Sequence, residues 1–275
     1  MTTSDIAQLL ADIERAGDTV PPSWPLSSTI AVNPLAGFED RPFAQGVVEG
    51  ADLFGGRGLL TLADYRLRYA SYHLDTDLQA AHARFPFVVT WDDHEVANNY
   101  MGDVVPGSPS GGDLDRKAAA YQAWWENLPV RLDPPQGSVL AVHRSFQVGD
   151  LARVHVLDER QHSDLPPCRP DPRDTTDFGN CEAREAEDRS RLGADQEAWL
   201  QAGLAEGGVT WNLLGNPVVL AGIDSGAVDG EAAYYLDVWD GFPQARDRLL
   251  GQLAGADNPV VLTGDYHQGM VLDVH

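Results

Sequence analysis

Three short apolar segments of the chain each run directly into charged side chains or histidine. They are "FPFVVTWDDHE" (85–95), "LARVHVLDER" (151–160) and "NPVVLTGDYH" (258–267). Short apolar runs rich in valine are typical of buried strands, and buried charge is costly unless it is paired or bound to a metal. Helical patterns lie between these segments, and strands that alternate with helices predict an α/β fold. The polar residues are therefore expected at the ends of buried strands.

The spacing of apolar residues predicts the helices of this α/β fold. In the N-terminal part it favours helices over 4–16 and over Pro42 to Leu53. Further along, helices are expected within four segments: 61–84, 114–131, 193–207 and 240–255. Residues 209–222 are expected to hold one or two strands, and the polar stretch 159–192 is expected to form a long loop of the kind that is often functional.

The strand ends carry residues that suit metal chemistry. In α/β folds, functional sites cluster at the carboxyl ends of strands. Carboxylate oxygen with imidazole nitrogen suits iron, manganese or zinc, and a larger share of oxygen suits calcium. Two metals about 3.5–4 Å apart can hold a phosphoryl group, and the planar fork of Arg160 is suited to a phosphate oxygen. The alternative is that these residues form caps, turns and a surface ion pair between Asp158 and Arg160, worth at most about 1 kcal/mol.

The charge of the chain excludes several classes of partner. The formal net charge is -23, and Lys117 is the single lysine. Such a surface repels nucleic acid and anionic membranes. Two explanations remain open: solubility, including an acidic bias like that of salt-adapted proteins, and attraction of metal cations. The sequence contains no apolar run of about 18 residues and so predicts no membrane span. The amphipathic residues 1–17 lack the pattern of a secretory signal.

The two cysteines, Cys168 and Cys181, lie in the long polar loop. On the residues alone, a disulfide and a pair of free thiols are equally open. A disulfide would indicate an oxidising compartment, because the cytoplasm keeps thiols reduced.

Residues from about 59 to 275 resemble the PhoD-type alkaline phosphatase family of metallophosphatases. The resemblance rests on blocks that follow the family's order and spacing: "WDDHEVANN" (91–99), which is highly specific, "HRSFQVGDLARVHVLDERQ" (143–161), "RLGADQEAWLQAGL" (191–204), "DVWDGFPQARDRLL" (237–250) and "NPVVLTGDYH" (258–267). It implies a metallophosphatase-like β-sandwich flanked by helices. It also implies hydrolysis of phosphate mono- and diesters by metal-activated water, with calcium and iron as the metals of characterised members.

The resemblance assigns roles to individual residues. It implies that His94 faces the phosphate and assists the leaving group, and that Arg160 is a second catalytic residue, with Asp158 adjoining the site. It further implies a set of metal ligands: Asp93, Asn98, Asp265 and His267.

Two features depart from the family pattern. The family has an upstream Gly-Asp strand motif followed by a tyrosine, preceded by a block with a cysteine or another ligand, and no such block precedes Leu60. The family also continues well past the "GDYH" strand, whereas this sequence ends at His275. The expectation is a partial metallophosphatase domain over 59–275 that lacks part of the metal cluster and part of the sheet.

The segment before this domain resembles a different family. "LSSTIAVNPLAGFEDRPFAQGVVEGADLFGGRG" (26–58) is similar to the N-terminal region of DabA, the large subunit of a bacterial inorganic-carbon complex. The zinc-binding cysteines and histidine of that family have no counterpart here. The predicted organisation is thus a helical N-terminal segment, 1–58, followed by the PhoD-like domain, 59–275.

The predicted function is hydrolysis of a phosphate ester, with two alternatives. One is a catalytically inactive fusion or fragment of a PhoD-like domain, which predicts no turnover and low thermal stability. The other is a binding module of an inorganic-carbon system, which rests on residues 28–58 alone. The PhoD family is usually exported and often carries cysteines in the loop of Cys168 and Cys181, so the resemblance favours a disulfide. The sequence does not predict an oligomeric state.

Overall fold

The computed structural model describes residues 58–169, 171, 178–222, 227–228, 231–266 and 269–274. Its α-helices are α1 (Leu62–Tyr72), α2 (Thr76–Arg84), α3 (Asp113–Asn127), α4 (Ala194–Ala205) and α5 (Pro243–Leu253), with 3-10 helices at Glu182–Glu185 and Trp239–Gly241. Its strands are β1 (Arg144–Val148), β2 (Ala152–Val156), β3 (Phe178–Gly179), β4 (Trp211–Asn216), β5 (Ala227–Val228), β6 (Glu231–Ala232), β7 (Tyr234–Tyr235) and β8 (Pro259–Thr263). The helices expected over 4–16 and over Pro42 to Leu53 lie outside the described residues. Of the helices described, none is long and apolar enough to cross a membrane.

The largest sheet in the described part has four strands in the order β1-β2-β4-β8. β2, β4 and β8 are parallel, and β1 pairs antiparallel with β2. The register places Val156 opposite Gly215, and Gly215 opposite Leu262. The residues that follow the three parallel strands therefore emerge at the same edge of the sheet.

The central strands are covered on both faces. Every residue of β2 and β4 is buried, as expected for parallel strands between layers of helix and loop. On one side, α4 and α5 bury Leu200, Leu204 and Leu249 in a core shared with Leu214 of β4. Each of these leucines stabilises the fold by about 1.5–3 kcal/mol through the apolar surface that it removes from water. Leu200 and Leu204 thus face inward, whereas Trp199 is only partly buried.

A second core supports the segment that carries the acidic motif. Trp91 is fully buried and stacks on Tyr121 of α3 with ring centroids 4.0 Å apart, while Trp124 meets it edge-on at 5.2 Å. α1 packs against α3, and its Tyr65 donates its hydroxyl to the carbonyl of Val96 at 2.5 Å. Aromatic packing therefore fixes the backbone on both sides of the "DDHE" residues.

The strand predicted over 85–90 is wrong: only Val88 is a bridging residue there. Side-chain hydrogen bonds, rather than a full strand ladder, tie this segment to the sheet. Arg144 donates from Nη2 to the carbonyl of Val89 at 2.6 Å, and Thr90 donates from Oγ1 to the carbonyl of Leu157 at 2.6 Å. The segment therefore runs as an extended loop beside the end of β2.

The predicted α/β class is confirmed. The strands expected within 151–160, 209–222 and 258–267 are present as β2, β4 and β8. β1 was not predicted, because "RSFQV" has a mixed polar pattern and is largely exposed. The remaining described strands form two ribbons of two strands each, so the second large sheet of the expected sandwich is not found among the described residues.

A disulfide joins Cys168 to Cys181 with a Cα–Cα distance of 5.6 Å. The loop that it closes contains β3, which pairs with β7. Of the two states left open by the sequence, the structure thus contains the disulfide.

Reduction of this disulfide is expected to lower the thermal stability, because the cross-link restricts the unfolded chain. A loop of this length contributes about 3 kcal/mol, so the melting temperature should fall by roughly 5–10 °C in a protein of this size. Melting followed by circular dichroism with and without a reductant measures the change. A Cys168→Ser/Cys181→Ser variant is the control and should melt at the lower temperature in both buffers. An unchanged melting temperature after complete reduction would contradict the prediction.

Candidate metal centre

The three charged segments of the sequence meet at the carboxyl edge of the sheet. Residues 158–160 follow β2, and Asp265 follows β8 after Gly264. The third segment is attached to the end of β2, because Trp91 donates from Nε1 to Oδ1 of Asp158 at 3.0 Å. The charged residues of the three segments therefore lie together at this edge.

A tight turn presents the two adjacent aspartates of the "DDHE" motif. The carboxylate of Asp93 accepts the backbone N–H of His94 at 2.8 Å and that of Asn99 at 2.7 Å. Glu95 accepts the backbone N–H of Asp92 at 2.7 Å. Burial raises the pKa of Glu95 to about 8, so this side chain adds little negative charge at neutral pH. The turn thus fixes both aspartates through its own side chains.

Asp92, Asp93 and Asp265 form a carboxylate cluster. One carboxylate oxygen of each lies within 4.8 Å of those of the other two. Asp92 and Asp93 are buried and Asp265 is half-buried. Burial, and next the charge of Asp92, raise the pKa of Asp265 to about 9. Carboxylates that are this close and this poorly solvated require a proton or a cation among them.

The donor atoms of the cluster fit a metal ion. Oδ2 of Asp92 and Oδ2 of Asp265 are buried, and neither has a hydrogen-bond partner among the described residues. An unpaired buried carboxylate oxygen is unfavourable, and coordination to a cation removes that penalty. A set of three carboxylates suits a hard cation such as Ca²⁺, Mg²⁺ or Mn²⁺.

Arg160 lies between the cluster and a further aspartate, Asp237. Its fully buried guanidinium group donates from Nε to Oδ1 of Asp92 at 2.6 Å and from Nη1 to Oδ2 of Asp237 at 2.7 Å. Nη2 has no hydrogen-bond partner in the described part and lies 3.7 Å from Oδ1 of Asp93. Burial lowers the pKa of Arg160, but the charges of Asp237 and Asp92 outweigh burial and raise it well above its usual value. The group is therefore a permanent cation beside the carboxylates.

The remaining predicted site residues occupy different positions. His94 adjoins the cluster, with Nε2 at 3.6 Å from Oδ2 of Asp93. Asn98 is half-buried in the same turn, one residue before the Asn99 N–H that binds Asp93. His267 lies outside the described residues.

Asp158 has both carboxylate oxygens bound within the protein. Oδ1 accepts Nε1 of Trp91 and the backbone N–H groups of Arg160 and Gln161, and Oδ2 accepts Nε2 of Gln161 at 2.9 Å. It shapes the turn that presents Arg160 and joins that turn to the "DDHE" segment. This agrees with its predicted place beside the site rather than within it.

Two members of the site were missed by the sequence reasoning. Asp92 is the first residue of the "DDHE" motif, and the pair of adjacent aspartates could have indicated that both belong to the site. Asp237 begins the block "DVWDG", where nothing local distinguishes it from the neighbouring Asp240. Its place beside Arg160 depends on a contact across 77 residues of sequence.

A groove of about 670 Å³ lies elsewhere, between α4 and α5. Small and polar residues line it, among them Ala194, Ala198 and Gly251. It includes no member of the carboxylate cluster, so its size does not make it the reactive site. The chemistry of the chain points to the sheet edge.

A carboxylate cluster at the carboxyl edge of a parallel sheet defines a class of protein: an α/β protein with a candidate metal site of the kind that hydrolytic metalloenzymes use. A sequence model of the PhoD-like phosphatase family matches residues 46–275. The chain therefore belongs to the PhoD-like phosphatase family.

Individual relatives agree with this assignment. Alkaline phosphatase D of Bacillus subtilis is 38% identical over 221 residues, which cover 79% of this chain and 37% of that protein. A solved structure of PhoD, also 38% identical, matches with a TM-score of 0.69 over 76% of this chain and 40% of that chain. The chain thus spans less than half the length of either protein.

The resemblance to the second family is also found. A probable inorganic carbon transporter subunit DabA from Novosphingobium aromaticivorans is 54% identical over 59 residues. These residues cover 22% of this chain and 7% of that protein. The predicted boundary near residue 58 stays a prediction.

Addition of Ca²⁺ is expected to raise the melting temperature of the chain, because only the folded cluster offers converging carboxylates. At a free concentration 100 times the dissociation constant, binding stabilises by about 2.7 kcal/mol. Asp265→Asn should abolish this metal-induced shift. Asp158→Asn should lower the melting temperature without metal yet retain the shift, since its oxygens are bound within the protein. Loss of the shift in Asp158→Asn alone would contradict the assignment.

Proposed function

We propose that the chain is a metal-dependent hydrolase of phosphate mono- and diesters. The observation that carries this proposal is the cluster of Asp92, Asp93 and Asp265, whose oxygens lie within 4.8 Å of one another at the carboxyl edge of the sheet. Membership of the PhoD-like phosphatase family supports it.

Asp92, Asp93 and Asp265 would hold the metal, with Asn98 and His267 as further ligands. When bound, the metal supplies an activated water and neutralises charge on the phosphoryl group. Calcium and iron are the proposed metals. Calcium is supported by the oxygen-rich cluster, and iron by the nitrogen that His267 would add.

His94 and Arg160 would act on the substrate itself. Arg160 would donate from Nη2 to a phosphate oxygen, since this nitrogen lacks a hydrogen-bond partner among the described residues. His94 would carry a proton on Nε2, which lies 3.6 Å from Oδ2 of Asp93, and pass it to the leaving oxygen. Asp265 and His94 are not fully buried, so the ester would approach from their side.

We also propose that the protein works in an oxidising compartment. The disulfide between Cys168 and Cys181 supports this, because such bonds persist where thiols are not kept reduced. Protein alkylated at the moment of cell lysis should contain no free thiol, and two free thiols in that sample would contradict the proposal.

Hydrolysis of bis-p-nitrophenyl phosphate tests the proposed activity directly. The purified chain should release p-nitrophenol when Ca²⁺ and Fe³⁺ are present and lose this activity in a chelator. Asp93→Ala should reduce turnover by at least about 100-fold, because it removes a carboxylate from the cluster. Asp103→Asn is the control, since this exposed carboxylate binds only Lys117 among the described contacts and should leave turnover unchanged.

The alternative function makes the opposite forecast. A catalytically inactive member of the family would fold and give no metal-dependent release of p-nitrophenol. Activity that is equal in the wild type and in Asp93→Ala would also refute the proposal, since it would arise outside the cluster.

A further inference from the structure

The direction of the guanidinium group of Arg160 is fixed from two sides. One edge faces the cluster, where Nε donates to Asp92 at 2.6 Å. The opposite nitrogen, Nη1, donates to Asp237 at 2.7 Å. Because guanidinium is planar, two anchored nitrogens determine where the third one points. Nη2 is thereby held 3.7 Å from Oδ1 of Asp93, at the cluster.

Asp237 is itself held rigidly. It is fully buried between β7 and the 3-10 helix Trp239–Gly241. A Cβ atom on Gly241 would lie 2.1 Å from the carbonyl oxygen of Leu236, so the turn closes too tightly for any other residue. Trp239 donates from Nε1 to Oε1 of Glu159 at 2.9 Å, which ties this turn to the residue before Arg160.

Glu159 also connects the turn after β7 to the end of β4. Its Oε2 accepts the backbone N–H of Val218 at 3.1 Å, and the side chain is fully buried. The ends of β2 and β4 and the turn after β7 are thus joined by one carboxylate. The turn that carries Asp237 is thereby tied to the residue before Arg160.

We infer that Asp237 is a positioning residue, which aims Nη2 of Arg160 at a tetrahedral oxyanion bound at the carboxylate cluster. This inference rests on the proposed function. Asp237 itself would not touch the substrate; it acts through Nη1 of Arg160.

The contact to Asp92 alone would not give the same result. With a single anchor at Nε, the fully buried guanidinium would keep Nη1 unpaired, and an unpaired buried donor costs about 1–3 kcal/mol. It would turn toward the other available carboxylates, those of the cluster. Nη2, now 3.7 Å from Oδ1 of Asp93, would then close to hydrogen-bond distance of that oxygen rather than remain ready for an incoming anion. Asp237 prevents that collapse by satisfying the outer nitrogen.

Binding of inorganic phosphate measures the aim of Nη2 without any turnover. Titration calorimetry of the Ca²⁺-loaded protein should give a phosphate affinity on the order of 10- to 100-fold weaker in Asp237→Asn, the range usual for residues that orient a binding group. The Ca²⁺ affinity should stay within about twofold of the wild type. In steady-state assays, KM should rise more than kcat falls.

Asp240→Asn is the matched control. Asp240 is also a buried aspartate of the same turn, and its Oδ1 is paired with Nη1 of Arg246 at 2.5 Å. It has no contact with Arg160 in the described structure, so phosphate affinity should remain that of the wild type. Asp237→Ser replaces Asp237→Asn if the latter does not fold, since it also removes the charge and fits the space.

The Arg160→Gln variant distinguishes an effect of Asp237 on the orientation of Arg160 from a general loss of stability. In Arg160→Gln, the further change Asp237→Asn should have no additional effect on phosphate affinity, because the aimed group is gone. Additive losses would overturn the inference. So would an Asp237→Asn variant that binds phosphate like the wild type, or one that loses Ca²⁺ as Asp265→Asn does, which would make Asp237 a metal ligand.

The same data distinguish this inference from the proposed function. A wild type that hydrolyses the ester and binds phosphate, beside an unaffected Asp237→Asn, refutes the positioning role and leaves the function standing. A wild type that neither hydrolyses the ester nor binds phosphate refutes both.

Discussion

The carboxyl edge of the sheet depends on the burial of one guanidinium group among aspartates. Arg160 is fully buried, and it reaches Asp92 and Asp237 across 68 and 77 residues of sequence. A charge removed from water without such partners costs several kcal/mol. The "DDHE" turn, the end of β2 and the turn after β7 must therefore assemble together, because each supplies what the others need. The geometry of the site follows from this requirement of the fold.

The charges at this edge do not balance within the described residues. Asp92, Asp93, Asp237 and Asp265 act on Arg160, and Arg191 is the other buried arginine whose pKa responds to these groups. Four carboxylates thus face two guanidinium groups. Burial first, and next the charge of Asp92, raise the pKa of Asp265 to about 9. Three buried carboxylate oxygens at this edge lack hydrogen-bond partners among the described residues: Oδ2 of Asp92, Oδ2 of Asp265 and Oδ1 of Asp237. A cation between Asp92 and Asp265 would neutralise charge at the two that belong to the cluster.

The sequence predicts those parts of the fold and of the site that depend on neighbouring residues, and it misses those that depend on contacts between distant segments. The helices and the strands β2, β4 and β8 follow from periodicity, and the acidic strand ends follow from their abrupt change of polarity. The segment 85–90 was mistaken for a strand because a periodicity argument does not consider the side-chain bonds that hold it: Arg144 binds the carbonyl of Val89, and Thr90 binds the carbonyl of Leu157. Asp237 was missed for the same reason on a larger scale: its partner is decided by the tertiary fold.

The overall charge of the chain has a different origin from the charge of the site. The cluster contains three of the 42 acidic residues, so attraction of a metal accounts for very little of the net charge of -23. Exposed carboxylates in water are screened within about 10 Å at moderate salt and do not select a cation. The proposed site differs from that surface because backbone and arginine contacts hold Asp92 and Asp93 in place. Of the two explanations for the acidic composition, solubility fits the surface, and metal attraction applies to the sheet edge alone.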